Sequence, residues 1–326
     1  MKFFMKHGCK AYKVVSVLLP LVLAGCAIGK KSNESISAGK LRPIFYEVSK
    51  NGKKIGTLFG TIHLGVNADD LPSSFFATFD ESDHFVAEID PESLKGDQKS
   101  TLFESFGRGK IRSGMSEISS DTQKSLRKYF QSFHAEYGSG QGAADLEFLE
   151  KLDLSGLVGY TNMVYQAKGQ VEVVNRLQSS RHLKKFLDFD LVDRAKQLKM
   201  TTTYLDAPLM ELLRQCASRE SSVRFLSKVA SAERPEVEYA DVYIDLVSAY
   251  RRGEKDYTRY YDSTDQQLKC LIDKRNVLWK TSIVGAFRAY ENTFVAVGRL
   301  HLDVGPESLV SLLQSDGYSV EVKQFD

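Results

Sequence analysis

The chain is poor in the residues that would place it in a specialised class. With 7 prolines and 23 glycines among 326 residues, it has no proline- or glycine-rich linker after residue 40 and no internal repeat. Neither tethered modules nor a solenoid is therefore expected. Charge of one sign is missing too. The 44 basic and 42 acidic side chains form no basic tract, which argues against nucleic acid as a partner. Beyond residue 25, no apolar run approaches the ~20 residues of a membrane-spanning helix. Of the 4 cysteines, neither Cys216 nor Cys270 has a second Cys or a His at the spacing of a zinc site, so a metal centre built on them is excluded. The 6 histidines leave few positions for imidazole chemistry.

What the chain does have begins at its first residues. Lys2, Lys6, Lys10 and Lys13 precede an apolar stretch from Val14 to Leu23, with no acidic residue among them. That stretch is too short for a membrane span and has the length of a signal-peptide core. An ordinary secreted start needs only small residues at the cut. Here Leu23-Ala24-Gly25 runs directly into Cys26, which resembles a lipobox. The expectation is a signal peptide over residues 1–25, acylation of Cys26, and a small, polar tether over residues 26–40. Ala27 in place of Asp resembles Gram-negative sorting to the outer membrane. The expected location is thus an outer-membrane lipoprotein facing the periplasm or cell surface, with the membrane as partner through the lipid. Losing four lysines takes the formal charge from +2 to −2. Cys9 leaves with the signal, so Cys216 and Cys270 remain; an oxidising compartment allows one disulfide or two buried thiols.

Residues 41–326 read as a single domain. Residues 45–48 and 55–59 flank Asn51-Gly52, a hairpin signal. Further strands are expected at 84–89, 201–205, 293–297 and 319–325, the fifth of these six a continuous apolar run suited to burial on both faces. The middle is helical by pattern. Asp121 caps one helix, others cover 189–199, 207–218, 237–252, 256–271 and 274–290, and Pro306 opens a last one. The fold class is therefore α/β (or α+β): a mixed sheet from strands at both ends of the chain, with a large helical middle region.

Two of the five histidines beyond the signal, His63 and His301, share a context. Gly60-Thr61-Ile62-His63 and Gly298-Arg299-Leu300-His301 each follow an apolar strand, and strand carboxyl ends are where open α/β sheets place ligands. Gly at such an end permits a sharp turn or a close approach. Glu88 ends a third apolar strand and is costly to bury alone. Two imidazoles and a carboxylate at strand ends suit either a metal site or a metal-free general-base site; strand-end residues hydrogen-bonded to loops are the plainer alternative. His84 reads as packing, and His134 and His182 as surface residues.

These motifs, in this order, resemble the TraB/PrgY/GumN family, which includes the Tiki proteases and is related to the haem-binding lipoprotein ChaN and the erythromycin esterases. The similarity runs across most of residues 43–325. Asp188-Phe189-Asp190 stands in the place of the family's central Gly-x-Asp helix, Tyr204-Leu205-Asp206 in that of its Leu-Glu strand end, and Arg275-Asn276 with Trp279 in that of its Arg-Asn helix. The resemblance implies catalytic residues His63, Glu88 and His301, with the same three, and Asp206 as a fourth, ligating a divalent metal (Mn, Co or Zn) that activates water for peptide hydrolysis. Gly60, Gly298, Asp190 and Arg275 would support them. The triad favours the hydrolase; two departures, Asp188 for the central Gly and Asp206 for the longer Glu, leave room for the alternative of a lipid-anchored protein that binds haem or a peptide. A metal-free esterase using His63 and Glu88 is a third reading. The three side chains are expected to converge within about 5 Å.

Overall fold

The computed structural model describes residues 41–91, 112–137, 146–177, 186–205, 209–261 and 266–325. The signal peptide, Cys26 and the tether lie outside these residues, as do His182 and Asp206. Strand β1 (Ile44–Lys50) turns through Asn51 and Gly52, whose φ angles of 53° and 77° are the pair a tight hairpin needs, into β2 (Lys53–Thr61). The other strands are β3 (His84–Ala87), β4 (Thr201–Tyr204), β5 (Thr293–Gly298) and β6 (Ser319–Gln324), all where the sequence pattern puts them. They form one sheet in the order β4-β3-β5-β2-β1-β6. β4, β3, β5 and β2 run parallel, whereas β1 is antiparallel to both its neighbours. The fold is mixed α/β, with strands from both ends of the chain around a helical middle.

Period-two alternation divides the central strands between two cores. Phe59, Phe85 and Phe294 face one side, where Phe75 and Phe79 of α1 (Ser73–Asp80) pack among them. Leu58, Val86 and Val295 face the other, covered by Trp279, Ile283 and Phe287 of a long helix near the carboxyl end. Each buried Phe contributes about 1.5–3 kcal/mol by leaving water, so this aromatic layer anchors one face of the sheet. Helices α2 (Ser120–Tyr137), α3 (Leu154–Leu177) and α4 (Leu187–Gln197) follow β3, and α5 (Leu209–Cys216), α6 (Arg219–Ser231), α7 (Pro235–Arg251) and α8 (Gln266–Ala289) follow β4. Two short helices, α9 (Leu300–Asp303) and α10 (Leu309–Ser315), complete the described set.

Several helix limits differ from the pattern-based expectation. Of the stretches 256–271 and 274–290, the part from Gln266 on is one helix, α8, and a 3-10 turn stands at Thr258–Tyr260 before it; nothing between Gln266 and Ile283 breaks the helix, since no Gly or Pro occurs there. Ser119 rather than Asp121 caps α2, accepting from the Thr122 amide at 3.2 Å. Pro306 lies before the last helix, which Ser308 caps by accepting from the Ser311 amide. Helix α3 escapes the pattern because its glycines and β-branched residues are poor helix formers; burial along most of its length supplies what propensity lacks. The Cys216 and Cys270 sulfurs are bonded, joining the end of α5 to α8. No helix among the described residues is long and apolar enough to cross a membrane.

Candidate active site

The parallel order β3-β5-β2 brings three carboxyl ends side by side. In register, Ala87 pairs with Ala296 and Ala296 with Phe59, so Glu88, Val297 and Gly60 follow one step later along adjacent strands. His63 comes just after β2, and His301 lies in α9 directly after β5. Residues 25 and 238 positions apart in sequence are thereby delivered to one edge of the sheet.

Glu88 is 3% exposed, and both its oxygens are engaged. Oε1 accepts from Nη2 of Arg275 at 2.7 Å, and Oε2 from the Gly298 amide at 2.7 Å. Burial works against its charge, but Arg275 above all, with His63 as well, holds the carboxyl below its usual range. Arg275 reaches the same point from α8. Its guanidinium lies 4.2 Å over the Trp279 ring, one helical turn away, and its Nη1 is 3.2 Å from His301 Nε2. His301, 3% exposed, is pushed down to about 3 by burial and by the Arg275 charge; its imidazole is neutral at any physiological pH. Its Nδ1 is 2.7 Å from Asn276 Oδ1.

A second pair sits beside this group. His63 Nδ1 is 2.8 Å from Asp188 Oδ2, and Thr61 Oγ1 donates to Asp188 Oδ1 at 2.6 Å. The His63 side chain is 22% exposed, against 2% for Glu88 and 4% for Arg275. Burial disfavours its cation, but the charge and hydrogen bond of Asp188 outweigh that, and the pKa is raised above the ordinary histidine value. Asp188 is held below the usual carboxylate range, the cost of burial being exceeded by His63 and the Thr61 hydroxyl. Two tyrosines of α7 fix the loop that carries His63: Tyr250 donates to the Gly60 carbonyl at 2.7 Å, and Tyr243 accepts from the Leu64 amide at 2.8 Å.

The TraB/PrgY/gumN family model matches residues 44–322. The chain belongs to that family. No curated protein and no solved structure matches it. In this family member, Glu88 and His301 meet on Arg275, and His63 meets Asp188. Sequence reasoning passed over Asp188, taking it as a departure and Asp190 as the supporting carboxylate. The signal was present in the helical period: Asp188 shares its stripe with buried Leu191, Val192 and Ala195, whereas Asp190 shares its with Asp193, Arg194 and Gln197. His84 packs at the opposite end of β3, stacked 3.9 Å from the Tyr290 ring. His134, expected at the surface, is partly buried, with Nε2 2.8 Å from the buried Tyr160 hydroxyl.

Among the described residues, which do not include Asp206, the donors around Glu88 do not by themselves assemble a divalent-ion site. No group of three or more His, Cys, Asp or Glu side chains among the described residues could hold such an ion. An ion shared by Glu88 and His301 would stand about 2.0–2.2 Å from each donor, where the Arg275 guanidinium already bridges Oε1 and Nε2. The resident cation is the arginine.

Proposed function

We propose that this TraB/PrgY/gumN family member is a hydrolase acting on peptide substrates, with His63 and Asp188 activating water. The observation that carries the reading is the 2.8 Å contact of His63 Nδ1 with Asp188 on the most exposed side chain of the group. Asp188 accepts a hydrogen bond from Nδ1–H and leaves Nε2 as the basic atom, the relation by which a carboxylate orients a general base. Nε2 takes a proton from water as its oxygen adds to the carbonyl carbon, and returns it to the leaving amine. Asp188 stabilises the imidazolium in between. Arg275, beside this pair, supplies fixed positive charge for the oxyanion. No step runs through Mn, Co or Zn.

The test is hydrolysis of a fluorogenic peptide library by the full chain purified in mild detergent, with and without chelator, alongside His63→Ala. Cleavage that survives chelation and disappears in His63→Ala supports the proposal. Cleavage that chelation abolishes and Mn, Co or Zn restores replaces it with the metal-dependent reading. A chain that cleaves nothing but retains haem or a peptide in stoichiometric amount carries the binding reading instead.

We also place the enzyme at the outer membrane through a lipid on Cys26, on the strength of Leu23-Ala24-Gly25-Cys26 and Ala27. Cys26→Ser is expected to leave the membrane fraction after high-salt washing; a variant that stays there overturns the anchor.

A further inference from the structure

His301 is gripped at both ring nitrogens by neighbouring residues of one helix. Asn276 takes Nδ1 and Arg275 takes Nε2. The orientation of the Asn276 amide follows from its surroundings. Its nitrogen lies 2.8 Å from the Glu307 carbonyl and 3.3 Å from that of His301, both of which can only accept. Oδ1 therefore faces His301, and an amide oxygen cannot donate, so the proton on that contact belongs to Nδ1. Nε2 then carries the lone pair, which matches the guanidinium N–H directed at it, since Arg can only donate. The five groups Asn276, His301, Arg275, Glu88 and the Gly298 amide form one continuous chain of hydrogen bonds with each donor facing an acceptor.

We propose that His301 is neither a metal ligand nor a base but a neutral hydrogen-bond acceptor for Arg275, locked in its Nδ1–H tautomer by Asn276. His301 and Asn276 are then positioning residues that hold the guanidinium against Glu88 and in place beside His63. A histidine suits this task because its ring spans the distance from Asn276 to Arg275 rigidly, and because the Trp279 ring, 4.5 Å away, packs on it. Were the proton on Nε2, a donor would face a donor between two buried side chains, at a cost of about 1–3 kcal/mol.

The activity arm of the test rests on the hydrolase reading; the spectroscopic arm does not. In the full chain labelled with 15N-histidine, the His301 resonances, assigned by their loss in His301→Gln, are expected to show a neutral ring protonated at Nδ1 near pH 7. A ring protonated at Nε2, or an imidazolium, overturns the proposal whether or not the protein is an enzyme. Asn276→Ala is expected to move the proton off Nδ1. For activity, His301→Gln retains an acceptor at the Nε2 position and is expected within about tenfold of wild type, with KM unchanged. His301→Ala and Asn276→Ala lose about 10- to 100-fold in kcat, the scale of a roughly 1 Å misplacement. Equal loss in His301→Gln and His301→Ala, with both variants folded, overturns the acceptor role. A wild-type chain without hydrolase activity but with the Nδ1–H tautomer defeats the hydrolase reading and leaves this one standing.

Discussion

The imidazole of His63 is 2.8 Å from the carboxylate of Asp188, one side chain from the loop after β2 and the other from the first turn of α4. The pairing changes what Asp188 signifies: the residue that departs from the family's central glycine is the partner of the histidine best placed to take a proton. Asp188→Asn keeps the shape but lets the amide nitrogen face Nδ1, which favours the wrong tautomer. The expected loss in kcat/KM is roughly 10²- to 10⁴-fold, with His63 returning toward its ordinary pKa. Because only unprotonated His63 can act as base, wild-type activity rises with pH through a value above about 6.5, and in Asp188→Asn that limb moves to lower pH. A pH–rate profile whose acidic limb is the same in both proteins contradicts this pairing.

The two strand-end glycines are expected to fail differently. A Cβ on Gly60 would lie 2.5 Å from Arg299 Cδ and 3.1 Å from its Cα. Arg299 cannot swing aside, because its guanidinium is tied to Asp303 at 2.6 Å and is 3% exposed. Gly60→Ala should therefore cost about 1–3 kcal/mol of stability. A Cβ on Gly298 meets only Glu88 Oε2 at 3.3 Å and His301 Cδ2 at 3.5 Å, so Gly298→Ala should fold with stability changed by less than about 1 kcal/mol yet lose about tenfold or more in activity by displacing Glu88. Denaturant unfolding together with kcat separates the two, and equal stability in both variants contradicts the argument.

Much of this arrangement was legible in the sequence for a simple physical reason. A strand buried on both faces must be apolar along its length, and a chemical group at its end stands out against that background, as Glu88, His63 and His301 do. The hairpin at Asn51-Gly52 was equally plain, because few residue pairs tolerate two positive φ angles. Asp188 and Asn276 were harder to see. Each lies in a helix whose polar and apolar residues are mixed, and its importance depends on which way one helical face turns in the fold. The occupation of the site by Arg275 was hidden too, since nothing in the spacing of Arg275, Glu88 and His301 says that a guanidinium bridges the other two.

The Cys216–Cys270 bond closes a loop across 54 residues, which by chain entropy contributes about 4 kcal/mol. It ties α5 to the helix that carries Arg275 and Asn276, with Cys270 five residues before Arg275. Reduction, or Cys216→Ser with Cys270→Ser, is expected to lower the melting temperature by several degrees and to weaken activity. Alkylation of the full chain without reductant, read by mass spectrometry, should leave both cysteines unmodified; two alkylated residues contradict the bond.

Stability should pass through a maximum near pH 6.5, because His301 and His63 titrate on opposite sides of it. His301, depressed to about 3, stays neutral in the fold while the unfolded chain takes up a proton below about 6.5. The unfolded state then binds more protons, and stability falls as pH drops from about 6.5 towards 3. Glu88 and Asp188, both held below their usual range, act in the same direction: their contribution is complete above the unfolded-state values of about 4 and is lost as pH falls through the folded ones. His63 runs the other way in a different window. Its pKa is raised, so its contribution is complete below about 6.5 and is lost as pH rises through its folded value. Calorimetric melting temperatures from pH 4 to 9 should therefore show a steep acid limb and a shallow alkaline one. Glu88→Gln isolates the carboxylate. It removes one charged partner of the buried Arg275 guanidinium, so stability is expected to fall at neutral pH, the loss shrinking as the wild-type carboxylate itself becomes protonated in acid. A melting temperature that stays flat or rises below pH 6 contradicts the neutral His301 from which the acid limb follows.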